Sequence, residues 1–298
     1  MIKLAVSDLD GTLFNATHEL DEHDSKIIME FQKRGFQFMI ATGRNWTNAK
    51  DLVEQFGITC EYICLNGAVI LNEEREMVQE IPIPQNILEE VMTMLIEKDV
   101  CFHMYGKKGI ITTDAKRGEK VALAHLMRNN FTEEEARNIM EKGNFAKFDV
   151  IVDDVDAYLQ SKPIVYKIEL FSTTAQIQKE VREALSCIAD IDVTNSVADN
   201  VEITYHKAQK GLALKNYCEM HGIAMDEVVV FGDSLNDLNM IETFHYGFAV
   251  ENAIDCIKEK ANYITASNVE HGVTRILEGL MEHNGDKEYL NNFKNTTK

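Results

Sequence analysis

Long apolar runs are absent from this sequence of 298 residues, which contains no stretch of about 18 apolar residues, roughly the length that a membrane-crossing helix needs. A membrane-spanning role is therefore excluded. The first residues, Met1 to Ser7, reach the carboxylate of Asp8 before the apolar region of a signal peptide could form. We expect a soluble, cytoplasmic protein that has no membrane partner.

Cysteine pairs and positive charge are also scarce. The six cysteines are scattered, with no Cys-x-x-Cys pair and no histidine spacing of the zinc-site kind, which is typical of small buried apolar residues. Lysine and arginine number 30 against 49 acidic residues, a net charge of −19. Because this charge repels phosphodiester backbones and anionic lipid surfaces, we expect no nucleic-acid partner. A small anionic substrate held by a local cation is compatible with it.

Short apolar runs bounded by turn residues alternate with segments of helical spacing. The runs lie at residues 4–7, 36–41, 62–65, 228–231 and 248–250, and they are too short and too continuous for half-exposed antiparallel strands. The segment between the first two runs has an apolar stripe and ends before a glycine, as helices do. Repeated strand–helix–strand units predict an α/β fold with a Rossmann-like, doubly wound parallel sheet. Ligands of such sheets bind beyond the carboxyl ends of the strands.

The middle of the chain predicts a second α/β domain inserted into the first. Two of the three prolines, Pro82 and Pro84, mark its entry. Behind them we expect helices over 85–98, 119–129, 132–142 and 174–188, and strands near 100–105, 109–113 and 164–171. The core domain is predicted to comprise residues 1–82 and 197–298, and the inserted cap domain residues 83–196.

Carboxylates follow two of the predicted strands directly. Asp8 and Asp10 come after the first strand, and Asp233 and Asp237 follow the strand at 228–231. Each pair alone is compatible with an acidic turn or a helix cap. In one parallel sheet, however, all of them emerge at the same edge, where they repel each other unless a divalent cation lies between them. An all-oxygen ligand set favours Mg²⁺.

Two further positions offer groups that bind an anion. Thr42, Gly43 and Arg44 end the strand at 36–41 and supply a hydroxyl, backbone N–H groups and a guanidinium. Lys210 opens a predicted helix, where an ammonium group and a helix N-terminus point at the same ligand. A solvated helix start is an equal alternative for Lys210, and Lys207 is the rival lysine. A surface position is the alternative for Arg44.

Taken in order, these elements resemble the four motifs of the haloacid dehalogenase (HAD) superfamily of phosphohydrolases. Residues 8–12 (Asp-Leu-Asp-Gly-Thr) match motif one, Thr42 motif two, Lys210 motif three, and residues 232–237 (Gly-Asp-Ser-Leu-Asn-Asp) motif four. Residues 66–68, 251–253 and 272–273 further resemble the Cof-type sugar-phosphatase branch. That branch has a large α/β cap between motifs two and three, where the second domain is predicted.

The resemblance implies an enzyme, a Mg²⁺-dependent phosphatase that hydrolyses small phosphate esters, such as sugar phosphates, through an aspartyl-phosphate intermediate. It implies Asp8 as the nucleophile and Asp10 as the general acid and base. The implied metal site consists of Asp8, Asp10 through its backbone carbonyl, Asp233, and Asp237 as the group that orients the ligands. The implied phosphate-binding residues are Thr42, Gly43, Lys210, Asn66 and Asn236.

The sequence leaves two other functions open. A sugar phosphomutase uses the same aspartate pair and returns the phosphate to the sugar, and a non-catalytic metal- or partner-binding module keeps the fold without turnover. Asp10 argues against relatives that preserve the phospho-enzyme, such as cation-pumping ATPases, which carry Thr at that position. Cap residues are expected to choose the substrate, and the candidates are His103, Tyr105, Lys107, Arg117 and Tyr166.

Overall fold

The chain divides into two compact units in the computed structural model, which describes residues 1–15, 19–128, 131–142, 147–171, 174–196 and 200–295. Residues Met1–Glu80 and Lys207–Lys298 form the first unit, and Ile81–His206 form the second. Each unit has a sheet and an apolar core of its own. Within the described ranges, every helix is too short or too polar to cross a membrane.

Strands and helices alternate in both units. The strands are β1 Leu4–Ser7, β2 Gln37–Ala41, β3 Glu61–Cys64, β4 Val69–Leu71, β5 Met77–Glu80, β6 His103–Gly106, β7 Gly109–Thr112, β8 Val150–Ile151, β9 Val165–Phe171, β10 Ile191–Thr194, β11 Asn200–Tyr205, β12 Val228–Gly232, β13 Tyr246–Val250 and β14 Tyr263–Thr265. The α-helices are α1 Glu22–Lys33, α2 Trp46–Glu54, α3 Gln85–Glu97, α4 Ala115–Arg128, α5 Glu133–Lys142, α6 Val155–Gln160, α7 Ala175–Leu185, α8 Lys210–His221, α9 Leu238–Thr243, α10 Asp255–Lys260 and α11 Gly272–Glu282.

The first unit is built on a sheet with the strand order β14-β13-β12-β1-β2-β3-β4-β5. Neighbours from β14 to β3 are parallel, and β4 and β5 add an antiparallel edge. Every residue of β1 and β12 is buried, as their continuous apolar sequences predict for strands covered on both faces. Helices α8, α9 and α10 share one apolar cluster with the sheet, while α1 packs on α11. The expected α/β architecture is therefore observed.

The second unit contains a sheet in the order β10-β11-β9-β6-β7-β8. All its pairs are antiparallel except β7 with β8. Helices α3 and α7 cover one face and share an apolar cluster with the strands. The opposite face carries polar side chains at alternate positions of β9 and β11, because successive residues of a strand point to opposite faces.

The division between the units differs from the expected boundaries. Strand β11 pairs with both β9 and β10, so it belongs to the second sheet. The second core segment consequently begins at residue 207 rather than at 197, and the inserted unit begins at 81 rather than at 83. Residues 197–199, at the expected boundary, and residue 129, at the end of a predicted helix, lie outside the described residues. The antiparallel β4–β5 edge was not predicted.

Candidate active site

A tight turn after β1 brings the first acidic motif against β12. The backbone N–H of Asp8 donates to the carbonyl of Phe231 at 3.1 Å, which joins the ends of the two strands. Gly11 has a φ of +77°, and a Cβ at this position would lie 2.6 Å from Oδ2 of Asp233. Only glycine permits this approach. Thr12 then donates its hydroxyl to Oδ1 of Asp233 at 2.9 Å.

The loop after β12 holds the second acidic motif in place through its own backbone. Oδ2 of Asp237 accepts the N–H groups of Asp233 at 2.9 Å and Ser234 at 3.1 Å. The Ser234 hydroxyl donates to Oδ2 of Asp233 at 2.8 Å. Asp237 is fully buried, and its position leaves no room for a side chain at Gly232. Asp237 therefore organises this loop and the direction in which Asp233 points.

Lys210, the first residue of α8, connects the two acidic motifs. Its ammonium group donates to Oδ1 of Asp8 and to Oδ1 of Asp237, each at 2.7 Å. Lys210 has an exposed fraction of 0%, whereas the rival Lys207 is exposed. Burial thus places Lys210, and not Lys207, among the carboxylates.

Three polar residues that follow β2, β3 and β12 lie side by side: Thr42, Asn66 and Asn236. Asn66 has a φ of +59°, a conformation that asparagine tolerates, and its N–H donates to the Thr42 carbonyl at 3.1 Å. Asn236 donates its side-chain amide to Oδ1 of Asn66 at 3.1 Å. The next residue, Gly67, approaches the backbone of Gln209, where a Cβ would lie 2.4 Å from the carbonyl oxygen. This contact sets the turn carrying Asn66 against the start of α8.

Arg44, for which a surface position was the alternative, contacts a site residue directly. Its guanidinium donates two hydrogen bonds of 2.6 Å to the two carboxylate oxygens of Asp10 and a third, of 2.7 Å, to Asn48. It also lies over the ring of Phe14, 5.7 Å from the centroid. Gly43 precedes it in the loop. The signal in the sequence was the arginine directly after a strand-end Thr-Gly pair, but its partner lies 34 positions away along the chain.

Burial and close contact shift the pKa values of the charged residues in the site. Asp8, Asp233 and Asp237 offer carboxylate oxygens that all lie within 4.8 Å of one another. Burial, together with the charges of Asp237 and Asp233, raises the pKa of Asp8 well above its usual range, although Lys210 opposes this shift. Burial and the charge of Asp237 raise the pKa of Asp233 to about 7. Burial lowers the pKa of Lys210, but its pairs with Asp237 and Asp8 outweigh burial and raise the pKa above the ordinary value.

One lysine does not balance three carboxylates, so the group fits a divalent cation. Burial, with the neighbouring carboxylates as a smaller cause, raises the pKa of Asp8 and of Asp233, and a bound cation would favour their ionised forms. Asp8 and Asp233 would supply hard oxygen donors to such an ion, in addition to the hydrogen bonds that they accept from Lys210, Thr12 and Ser234. The oxygens of Asp237 accept hydrogen bonds from Lys210 and the loop backbone. The Asp10 carboxylate is paired with Arg44 instead.

The match to known proteins covers nearly the whole chain. A family model described as haloacid dehalogenase-like hydrolase matches residues 5–277. The chain belongs to the haloacid dehalogenase-like hydrolases. This hydrolase is 27% identical over 287 residues to phosphatase YwpJ of Bacillus subtilis (strain 168), covering 94% of this chain and 100% of the relative. It is 29% identical over 278 residues to the 5-amino-6-(5-phospho-D-ribitylamino)uracil phosphatase YcsE of the same organism, covering 93% and 94%.

A solved structure is also similar to this hydrolase. The structure of a haloacid dehalogenase-like hydrolase from B. subtilis aligns with a TM-score of 0.82 at 25% identity, covering 94% of this chain and 100% of that one. Together the matches confirm the expected family and enzyme class, since the relatives are named phosphatases. Hydrolases of this family generally use a divalent metal, and the group of Asp8, Asp233 and Asp237 is where the structure offers a site for one.

Three supporting residues were not identified as such from the sequence. Thr12 and Ser234 both donate to the carboxylate of Asp233, and Asn252 donates its side-chain amide to the Gly11 carbonyl at 2.7 Å. Thr12 and Ser234 lie inside the recognised motifs, so their identity was visible but their acceptor was not. Asn252 bonds to a residue 241 positions away, which no local pattern indicates.

Proposed function

We propose that this hydrolase is a Mg²⁺-dependent phosphatase that releases phosphate from small phosphate monoesters through an aspartyl-phosphate on Asp8. The observation that supports this best is the surroundings of Asp8. Its buried carboxylate lies beside Asp233 and accepts a hydrogen bond from Lys210. A nucleophilic carboxylate, a second carboxylate for a metal ion and a cation for the phosphoryl oxygens are the parts that phosphoryl transfer needs.

Mg²⁺ would be held by Asp8, Asp233 and the backbone carbonyl of Asp10, all oxygen donors of the kind that this ion prefers. When bound, the ion neutralises charge on the phosphoryl oxygens. We assign Asp237 to orienting the ligands, since its oxygens already accept from Lys210 and from two backbone N–H groups.

In the proposed reaction, an oxygen of Asp8 attacks the phosphorus while the bond from phosphorus to the ester oxygen breaks. Asp10, as the carboxylic acid, gives its proton to the departing oxygen. The Asp10 carboxylate then removes a proton from a water molecule, which attacks the phosphorus. The bond from Asp8 to phosphorus breaks, and free phosphate and the original carboxylate result.

The remaining polar groups bind the phosphoryl oxygens in this proposal. Lys210 contributes positive charge, Thr42 its hydroxyl and Gly43 its backbone N–H. Asn66 and Asn236, which are hydrogen-bonded to each other, add side-chain amides next to them. Because such electrostatic contacts act in a buried site, the loss of one typically lowers the rate by roughly 10²–10³.

We propose further that the inserted unit, residues 81–206, selects the ester. The relative YcsE is named for a ribityl phosphate that carries an aminouracil, whereas YwpJ is named only as a phosphatase. These two names give no single leaving group, so we assign to this chain only the class of small phosphate esters. We also propose that it works in the cytoplasm. Its net charge of −19 argues against nucleic acids and anionic membranes as partners.

The test is phosphate release from 4-nitrophenyl phosphate after treatment with a chelator. We expect activity to return with Mg²⁺ and not with Ca²⁺, which takes a larger and less regular ligand shell. Asp8→Asn is expected to abolish release. If no ester in a broad panel yields phosphate at high enzyme concentration, the proposal is wrong and a binding module is favoured. Transfer of phosphate between sugar positions without free phosphate would favour the mutase.

A further inference from the structure

Two asparagines of the first unit bind the turn that follows β1. The side-chain amide of Asn252, which lies just after β13, donates to the Gly11 carbonyl at 2.7 Å. Its side-chain oxygen accepts the backbone N–H of Asn268, which lies after β14, at 2.9 Å. The side-chain amide of Asn268 in turn donates to the Phe14 carbonyl at 2.8 Å. We call Asn252 and Asn268 the asparagine clamp. The proposed chemistry on Asp8 assigns no part to it.

The clamp holds the turn that carries Asp10. This turn comprises Leu9–Leu13, and the N–H of Phe14 closes it by donating to its first carbonyl at 2.8 Å. Asp10 and Gly11 have non-helical backbone angles within it, and the φ of Gly11 is +77°. Because glycine has the widest backbone freedom of all residues, the turn by itself does not fix the Gly11 carbonyl. The hydrogen bond from Asn252 restricts it from outside.

Asp10 is thereby held at two points. Arg44 binds its carboxylate with two hydrogen bonds of 2.6 Å, and Asn252 binds the carbonyl of the next residue in the chain. The loop that carries Asn252 also bonds to the second acidic motif, because the N–H of Ile254 donates to the Asp233 carbonyl at 3.0 Å. One loop therefore contacts the backbone beside Asp10 and the backbone of Asp233.

Stability gives little reason for the clamp. Asn252 is exposed, so water would satisfy its side chain equally well, and changes at exposed positions usually have little effect on stability. Both polar atoms of this side chain are nonetheless engaged, one with a residue 241 positions away and the other with a residue 16 positions away. Holding an exposed side chain in one rotamer also opposes folding through lost conformational entropy. Such a contact is expected where the position of its partner is what matters.

We propose that Asn252 is a positioning residue for Asp10, and that Asn268 holds Asn252 in the orientation that this role requires. The inference rests on the proposed phosphatase function. In that reaction the Asp10 carboxylate removes a proton from the water molecule whose oxygen attacks the phosphorus, and the bond from Asp8 to phosphorus breaks. A misplacement of about 1 Å lowers the rate of such a step by as much as roughly 10²-fold. The clamp thus acts through Asp10, without touching the substrate.

An aryl ester separates the two steps of the reaction. 4-Nitrophenolate is a stable anion that leaves phosphorus without taking a proton, so transfer of the phosphoryl group to Asp8 does not depend on Asp10 as an acid. Hydrolysis of the aspartyl-phosphate still needs Asp10 as the base. Loss of the clamp should therefore slow the second step and spare the first.

The experiment mixes Asn252→Ala with radiolabelled 4-nitrophenyl phosphate and Mg²⁺ and quenches samples in acid at increasing times. The initial rise of protein-bound label gives the rate constant for phosphorylation of Asp8. The decay of the label after a chase with unlabelled ester gives the rate constant for hydrolysis. Relative to wild type, we expect the hydrolysis constant to fall about tenfold or more. The phosphorylation constant should stay within about twofold, because its leaving group needs no acid.

Asn262→Ala is the matched control. Asn262 also donates its side-chain amide to a backbone carbonyl, that of His245 at 3.0 Å, but it lies before β14, at the opposite end of this strand from the clamp. We expect both rate constants of this variant to equal those of wild type. Asn268→Ala removes the hydrogen bond to Phe14 and leaves Asn252 in place, so we expect a smaller fall of the hydrolysis constant, about threefold.

A purely structural role of the clamp predicts a different result. It would lower both rate constants by the same factor, or reduce the fraction of enzyme that takes up label at unchanged constants, and either result would overturn the inference. A folded Asn252→Ala with the wild-type hydrolysis constant would overturn it too. If Asn252→Ala does not fold, Asn268→Ala decides in the same way. If the wild-type enzyme releases no 4-nitrophenol, the phosphatase proposal is refuted instead, and this inference with it.

Discussion

Lys210→Met isolates the charge balance of the candidate site. Lys210 is completely buried and holds two ion pairs of 2.7 Å, with Asp8 and with Asp237. Methionine has a similar volume but leaves both carboxylates without a cation. Removing one partner of a buried pair costs about 3–5 kcal/mol. At about 2–4 °C per kcal/mol for a chain of this size, we expect the melting temperature to fall by about 6–20 °C.

The assay is thermal unfolding with and without Mg²⁺. Lys215→Met, an exposed position on the same helix, is the control, and we expect it to remain within about 0.5 kcal/mol of wild type. Mg²⁺ should restore part of the loss, because it brings positive charge to Asp8 and Asp233. Phosphatase activity should decrease by about 10²–10³ in the same variant. A melting temperature equal to that of the control would refute the reasoning that Lys210 compensates buried carboxylates.

Three further predictions concern residues around the site. Arg44→Lys loses the bidentate contact with Asp10. Because a positioned acid–base group typically raises the rate by roughly 10²–10⁴-fold, we expect kcat to fall about tenfold or more in steady-state kinetics. An unchanged kcat would argue against a positioning role for Arg44. Gly67→Ala places a Cβ at a φ of +103° and against the Gln209 carbonyl, whereas Gly35→Ala, at a φ of +90°, meets nothing within 4 Å. The urea midpoint of unfolding should therefore fall further in Gly67→Ala than in Gly35→Ala. Equal decreases in the two midpoints would show that the clash is relieved. The hydrogen bond to Asp24 raises the pKa of His271 above 6.5. The stability that protonated His271 contributes is therefore complete below pH 6.5 and lost as the pH rises through the raised pKa. Between about pH 5 and pH 9, the free energy of unfolding should decline more in wild type than in His271→Gln, and parallel curves would contradict this.

The strands that carry the site were predictable because their local pattern and their environment agree. The runs at 4–7 and 228–231 are continuously apolar, and the structure buries both strands completely in the middle of the sheet. Once these strands are parallel neighbours, Asp8 and Asp233 must emerge at the same edge. That part of the site follows from the sequence.

Long-range pairing was not predictable in the same way. Lys210 was predicted as the site lysine with Lys207 as its rival and a solvated helix start as an equal alternative, and its burial between Asp8 and Asp237 decides for Lys210. Arg44 looks like a surface residue until the turn after β1 brings Asp10 to it. Residues 200–205 were assigned to the core domain with no strand predicted there, because their place in the second sheet depends on pairing with β9 and not on their own composition.

The central claim is that Asp8 carries the phosphoryl group during turnover. Asp10→Asn removes the base that releases phosphate, so the intermediate should accumulate in this variant. The measurement is mass spectrometry of the Asp10→Asn enzyme after it is mixed with 4-nitrophenyl phosphate and Mg²⁺ and quenched in acid. We expect one added phosphoryl group, located on the peptide that contains Asp8, and none when Asp8→Asn is also present. An unmodified Asp8 peptide, or a phosphoryl group on another residue, would contradict a role for Asp8 as the nucleophile.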